Sequence, residues 1–131
     1  MKKKIKILVV DDEPVIRSLF TDLLEDQGYQ AVTVQNGLEA VEAVQSEDFA
    51  LAFMDVHMPL MNGVEALRKI RKIRPQMRIA MMDSFPNCLI EEAKKEGVLT
   101  CIHKPFEIKL VFEIIEQVEK GEDSLCAQAG S

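Results

Sequence analysis

Apolar and polar residues follow two rhythms along this chain, and the switches between them mark out alternating elements. Ile5-Lys6-Ile7-Leu8-Val9-Val10 is rich in β-branched residues and predicts a strand. Pro14 follows where a helix can start without an N–H. Val15, Ile16, Leu19, Phe20, Leu23 and Leu24 then form a stripe on one helical face, which Gly28 ends. Ala31-Val32-Thr33-Val34 predicts a second strand. Asn36 can cap a second helix with Ala40, Val41 and Val44 inward. Phe49-Ala50-Leu51-Ala52-Phe53-Met54 is apolar on both faces, as a central parallel strand is.

The alternation continues to the end. Asn62-Gly63 marks a turn, and Val64, Leu67 and Ile70 line a helix that Pro75 stops. Arg78 to Met82 is the fourth strand. Leu89, Ile90 and Ala93 face inward on a fourth helix closed by Gly97, and Leu99 to His103 is the fifth strand. Leu110, Val111, Ile114, Ile115 and Val118 line the last helix, ended by Gly121. Five β/α units with short connections imply a doubly wound α/β fold, a parallel sheet with helices on both faces. Residues 1–120 form one domain on this reading. The small, polar residues 121–131 are expected to be a disordered tail.

Composition narrows the function classes. The 131 residues are 47% hydrophobic and 29% charged, ordinary for one globular domain. A net charge of −6 lacks the basic balance of a nucleic-acid surface. The run Arg68-Lys69-Ile70-Arg71-Lys72-Ile73-Arg74 is read as a solvated helix face. Cys88, Cys101 and Cys126 match no zinc spacing and read as reduced thiols. No apolar run reaches the ~18 residues of a membrane span. The apolar stretch after Met1-Lys2-Lys3-Lys4 ends in acids before the about 7–15 residues of a signal core. The expected location is the cytoplasm, with neither nucleic acid nor membrane as partner.

Charge collects where the predicted strands end. Asp11 and Asp12 follow the first strand, Asp55 the third, Asp83 the fourth and Lys104 the fifth. Ligands of open α/β sheets bind beyond the carboxyl ends of the strands, near the topological switch point. With strand order 2-1-3-4-5, Asp11, Asp12 and Asp55 converge there, with Asp83 and Lys104 beside them. Crowded carboxylates in a partly dry cleft need compensation. Mg²⁺ is a natural partner, taking one or two carboxylates plus phosphate oxygens. Lys104 adds a mobile positive charge suited to phosphate. One strand-end acid is ordinarily a solvated loop residue, but acids at three strand ends with Lys-Pro at the fifth are poorly explained that way.

These residues carry a family resemblance. Leu8-Val9-Val10-Asp11-Asp12-Glu13-Pro14 resembles the first-strand signature of response-regulator receiver domains. Met54-Asp55-Val56-His57-Met58-Pro59 through Asn62-Gly63 resembles their phosphoacceptor strand and turn, and His103-Lys104-Pro105-Phe106 their fifth-strand end. The resemblance runs from about Lys4 to Lys120, and Glu96-Gly97-Val98-Leu99-Thr100 looks closest to the single-domain receivers of sporulation phosphorelays. It implies a flavodoxin-like (β/α)5 fold of strand order 2-1-3-4-5. It also implies that Asp55 is the phosphoacceptor and that Asp12 binds Mg²⁺ directly, Asp11 through water and His57 through its backbone carbonyl. Lys104 would pair with Asp55 and then with the phosphoryl group, and Lys104–Pro105 would be cis. A histidine kinase or phosphotransfer protein would supply the phosphoryl group, and a downstream protein would read it. The chain would be no enzyme beyond its own phosphoryl transfer and hydrolysis, a labile aspartyl phosphate suiting a signal that must decay.

Two positions depart from the family. Receivers usually carry Thr or Ser at the end of the fourth strand; here Asp83 stands there, followed by Ser84. The usual switch aromatic, three residues before the lysine, is Cys101. Asp83 could pair with Lys104, stay protonated, swing out while Ser84 takes over, or weaken phosphorylation, which is the reading favoured. His57 and His103 side chains are expected to be ordinary. Other classes fit less well. A haloacid-dehalogenase phosphatase would show Asp-x-Asp after the first strand, and a dinucleotide oxidoreductase a Gly-rich turn there. The remaining alternative is a pseudo-receiver, an interaction module that works without phosphorylation.

Overall fold

The computed structural model describes residues 5–58, 60–84 and 88–121, with the side chains of all but 88–90. Ten elements alternate: β1 (Lys6–Val10), α1 (Pro14–Asp26), β2 (Gln30–Val34), α2 (Gly37–Ser46), β3 (Leu51–Asp55), α3 (Gly63–Ile73), β4 (Arg78–Asp83), α4 (Cys88–Lys95), β5 (Thr100–His103) and α5 (Ile108–Glu119). The strands form one sheet of order β2-β1-β3-β4-β5, with every pair parallel. The switch point therefore lies between β1 and β3, as expected. The tail at 122–131 and the inward placement of Leu89 and Ile90 lie outside the described residues. No described helix is long and apolar enough to cross a membrane.

The period of two along each strand divides the core between two helix layers. Ile7, Val9, Leu51, Phe53, Ala80, Met82 and Ile102 pack with Phe20, Leu24, Val111, Ile114 and Ile115 beneath α1 and α5. Leu8, Val10, Ala52, Met54, Ile79 and Met81 pack with Ala40, Val44, Val64, Leu67, Ile70 and Ala93 beneath α2, α3 and α4. Both faces of the central strands are thus covered, which is why their sequences read as continuous apolar runs.

Helix entries are set locally. The Asn36 side chain accepts the Glu39 N–H and caps α2. Asn62 and Glu65 form a reciprocal capping box at the start of α3, so Asn62-Gly63 is a helix start, not only a turn. Gly63 is required by space. A Cβ there would lie 2.6 Å from the Asp55 main-chain oxygen and 2.7 Å from Val56 Cα. Gly28 ends α1 at φ 86°, where glycine carries no Cβ penalty.

Two expectations change. The six apolar residues of α1 are two i, i+4 rows, not one buried stripe. Ile16, Phe20 and Leu24 face the core, whereas Val15 (75% exposed) and Leu19 (36%) lie on the outer edge. The neighbouring row has turned about 100° further round the helix, past the sheet. The basic run on α3 is also not wholly a solvated face. Arg71 donates to the carbonyls of Met77 and Gly97, both at 2.8 Å, and Arg74 Nε donates to the Val44 carbonyl at 3.0 Å. Both guanidiniums satisfy main-chain oxygens that the element ends leave open.

Candidate functional site

Strand pleat decides which strand-end side chains meet. Asp11 continues the Ile7–Val9 row past the end of β1, Asp55 continues Leu51–Phe53, and Lys104 continues Ile102 past the end of β5. All three leave the sheet on the α1/α5 side. Asp83 continues Ile79–Met81, and His103 follows Cys101, so both leave on the α3/α4 side.

The contacts follow this parity. Lys104 Nζ donates to Asp11 Oδ2 at 2.6 Å, Glu13 Oε1 at 2.8 Å and Asp55 Oδ2 at 3.2 Å. The Lys104 ammonium is almost enclosed, while Asp11 and Asp55 are buried. The His57 N–H donates to Asp55 Oδ1 at 3.1 Å, and the Glu13 N–H to Asp11 Oδ1 at 2.9 Å. Arg17 Nη1 holds the Asp11 main-chain oxygen at 2.8 Å. Asp12 and Glu13 are exposed at the rim, and the peptide bond Lys104–Pro105 is cis.

Oxygen atoms of Asp11, Asp12, Glu13 and Asp55 all lie within 4.8 Å of one another. Three of these carboxylates, Asp11, Glu13 and Asp55, contact the one ammonium. Burial pushes the Asp55 carboxyl above its ordinary value; the His57 N–H and Lys104 oppose the rise, and Asp11 adds to it. Burial likewise raises Asp11, against the hydrogen bonds from Lys104 and the Glu13 N–H. For Lys104 burial works against the charge, but hydrogen bonds to Asp11 and Glu13 and the attraction of Asp55 outweigh it and hold its pKa above the ordinary lysine value. The donor set is all oxygen and over-rich in negative charge, which fits a hard divalent cation such as Mg²⁺ and the phosphorylation of a carboxylate.

Of the strand-end residues singled out by sequence, Asp11, Asp12, Asp55 and Lys104 are brought together. Asp83 meets Lys104 only through the main chain, where the Lys104 N–H donates to the Asp83 carbonyl at 2.6 Å. Its carboxylate is wholly buried and lies 2.5 Å from His103 Nδ1. Ser84 is exposed just past the strand, and Cys101 is half-buried against the α3/α4-side core. Sequence reading missed Glu13 as a third arm on Lys104 and His103 as the partner of Asp83. The second was available from strand register, because β4 and β5 place Asp83 directly opposite His103.

Residues 7–116 match the response regulator receiver domain family, and the chain belongs to it. It is 36% identical over 116 residues to sporulation initiation phosphotransferase F of Bacillus subtilis, covering 88% of this chain and 91% of that protein. It is 34% identical over 117 residues to chemotaxis protein CheY of Thermotoga maritima, covering 88% and 98%. A solved CheY-like receiver domain from Methanospirillum hungatei aligns with TM-score 0.82 at 28% identity, over 90% of this chain and 98% of that one. The chain is therefore a receiver module of two-component signalling, not an enzyme in the ordinary sense.

Proposed function

We propose that Asp55 accepts a phosphoryl group, in the presence of Mg²⁺, from the phosphohistidine of a histidine kinase or phosphotransfer protein. One observation carries this reading. The Asp55 carboxylate ends the central strand, 4% exposed, with the His57 N–H on one oxygen, Lys104 on the other and the acidic cluster beside it. In the transfer, a carboxylate oxygen of Asp55 bonds to phosphorus as the phosphorus–nitrogen bond of the donor breaks. That bond's electron pair returns to the imidazole, which takes up a proton. The product is an aspartyl phosphate.

This chain's residues position the nucleophile and neutralise charge, as phosphoryl transfer requires. His57 N–H fixes the Asp55 rotamer, and Lys104 is placed to follow charge from the carboxylate to a phosphoryl oxygen. Asp11, Asp12, Asp55 and the His57 carbonyl are the residues that would hold Mg²⁺. When bound, it would screen the carboxylates and offset charge on the phosphoryl oxygens. Hydrolysis of the aspartyl phosphate by the domain itself would end the signal. Residues 1–120 act as the receiver unit, with 121–131 a tail beyond it, in the cytoplasm. Val15 and Leu19 on α1, with Pro105 and Phe106, form the face that receives the donor, and a downstream protein reads the phosphorylated state.

Asp83 and Cys101, where the family usually has a hydroxyl and an aromatic, favour weakened or short-lived phosphorylation with altered switching. They also give a second reading its support: a pseudo-receiver that binds partners without phosphorylation. Intact-mass measurement after incubation with acetyl phosphate and Mg²⁺ separates the two. The expected result is a gain of one hydroxylamine-sensitive phosphoryl group, absent in Asp55→Asn. Equal labelling of that variant would remove Asp55 as the acceptor, and no labelling of the parent would favour the pseudo-receiver.

A further inference from the structure

Asp83 presents a physical problem that the phosphoacceptor site does not explain. Its carboxylate is fully buried, yet one oxygen, Oδ2, has no hydrogen-bond partner among the described residues. Among the described residues the other oxygen is held by a single side-chain contact, His103 Nδ1. An ionised carboxylate only accepts hydrogen bonds, so this contact holds it when the imidazole proton is on Nδ1. The His103 side chain is itself 68% exposed. It contributes little to the core, and its one described polar contact is with Asp83.

The position of Asp83 makes that contact consequential. Asp83 follows Met82, which lies opposite Asp55 in the β3–β4 pairing. Its main-chain oxygen receives the N–H of Lys104, the residue whose ammonium bridges Asp11, Glu13 and Asp55. A carboxylate freed from His103 would be a buried acceptor with no donor, a costly state. To reach water it must pull on the end of β4, whose last carbonyl accepts the Lys104 N–H, so the shift passes to the residue whose ammonium contacts Asp55.

Resting on the proposed phosphoacceptor role, we propose that His103 is a positioning residue for the Asp55 reaction. Its Nδ1–H pins the Asp83 carboxylate on the α3/α4 side of the sheet and so steadies the β4–β5 end from which Lys104 reaches Asp55. His103 touches neither donor nor phosphoryl group and acts only through Asp83.

The pin can be tested without unfolding the protein, since His103 is exposed. His103→Leu should slow labelling of Asp55 by phosphoramidate and Mg²⁺ on the order of tenfold, the scale on which an orphaned buried acceptor acts. His103→Asn, whose amide nitrogen can occupy the Nδ1 position, should label within about twofold of the parent. In an Asp83→Thr background, His103→Leu should make less than about a twofold difference, because no carboxylate remains to be held. A His103→Leu variant that labels at the parental rate, a loss that persists in the Asp83→Thr background, or failure of Asn to rescue would overturn the proposal. Imidazole ¹⁵N spectra read the pin independently of phosphorylation. At a pH where the ring is neutral, the parent should show the Nδ1–H tautomer of His103, and Asp83→Thr should lose it. Finding Nε2–H in the parent overturns the pin, whereas a parent that takes no label while keeping Nδ1–H overturns the phosphoacceptor role instead.

Discussion

Removing the ammonium from the acidic cluster is the most direct perturbation of this site, and Lys104→Met does it while keeping most of the apolar stem. The Lys104 side chain is 9% exposed and meets fully buried Asp11 at 2.6 Å and nearly buried Asp55 at 3.2 Å. Stripping one partner from a buried pair costs roughly 3–5 kcal/mol, because the other charge stays behind uncompensated. The arm to Glu13, whose side chain is 54% exposed, adds at most about 1 kcal/mol. Both carboxyls are already raised by burial, so they can take up protons and recover part of the loss. A net loss of about 3 kcal/mol at pH 7 in metal-free buffer follows, or roughly 10 °C in Tm for a domain of this size. The pH dependence has a definite sign. An acid whose folded pKa lies above its unfolded value holds more protons when folded, so stability falls as pH rises between the two. Without Lys104 the folded values of Asp11 and Asp55 move further up. The deficit should therefore be small near the unfolded carboxylate pKa and grow toward neutrality. The raised Lys104 value adds no slope there, since its contribution disappears only as pH rises through that value in strong alkali. Urea unfolding followed by circular dichroism at acidic and neutral pH reads both quantities. A loss below about 1 kcal/mol at pH 7, or an equal loss at both pH values, would refute the reasoning.

Other perturbations probe separate links. Millimolar Mg²⁺ should raise Tm of the parent by mass action, and Asp12→Ala should remove most of that rise in a thermal-shift titration; an unchanged response would exclude Asp12 as a ligand. Gly63→Ala should destabilise by about 3 kcal/mol in urea unfolding, because its Cβ would meet the main chain of Asp55 and Val56 on a packed strand end. Val15→Glu and Leu19→Glu should each shift stability by less than about 0.5 kcal/mol while slowing transfer from a cognate kinase and sparing acetyl-phosphate labelling. Equal loss of both reactions would point to misfolding.

The order of strands and helices was legible because each element announces itself over several residues. A parallel strand buried on both faces is a continuous apolar run, and a helix carries its stripe between an Asn or Pro start and a Gly stop. The convergence of Asp11, Asp12 and Asp55 followed from strand order alone. Finer placement turns on single residues, which hydrophobic pattern does not resolve. Ending the fourth strand at Met82 leaves Asp83 as a loop residue with no assigned face, free to be imagined beside Asp55. The strand in fact includes Asp83. With a side-chain period of two, that one residue sends the carboxylate to the opposite face from Lys104. The same limit affects α1, where adjacent apolar residues read as one stripe but form a buried row and a rim row. It affects the basic run of α3 as well, since charge count cannot say which guanidinium finds a carbonyl. Composition predicts Arg71 in water, whereas Met77 at the entry to β4 and the turn at Gly97 bring it two main-chain acceptors. In each case the deciding contact joins segments distant in sequence. The strand register that fixes it, such as Asp83 opposite His103, arises only when the whole sheet is assembled.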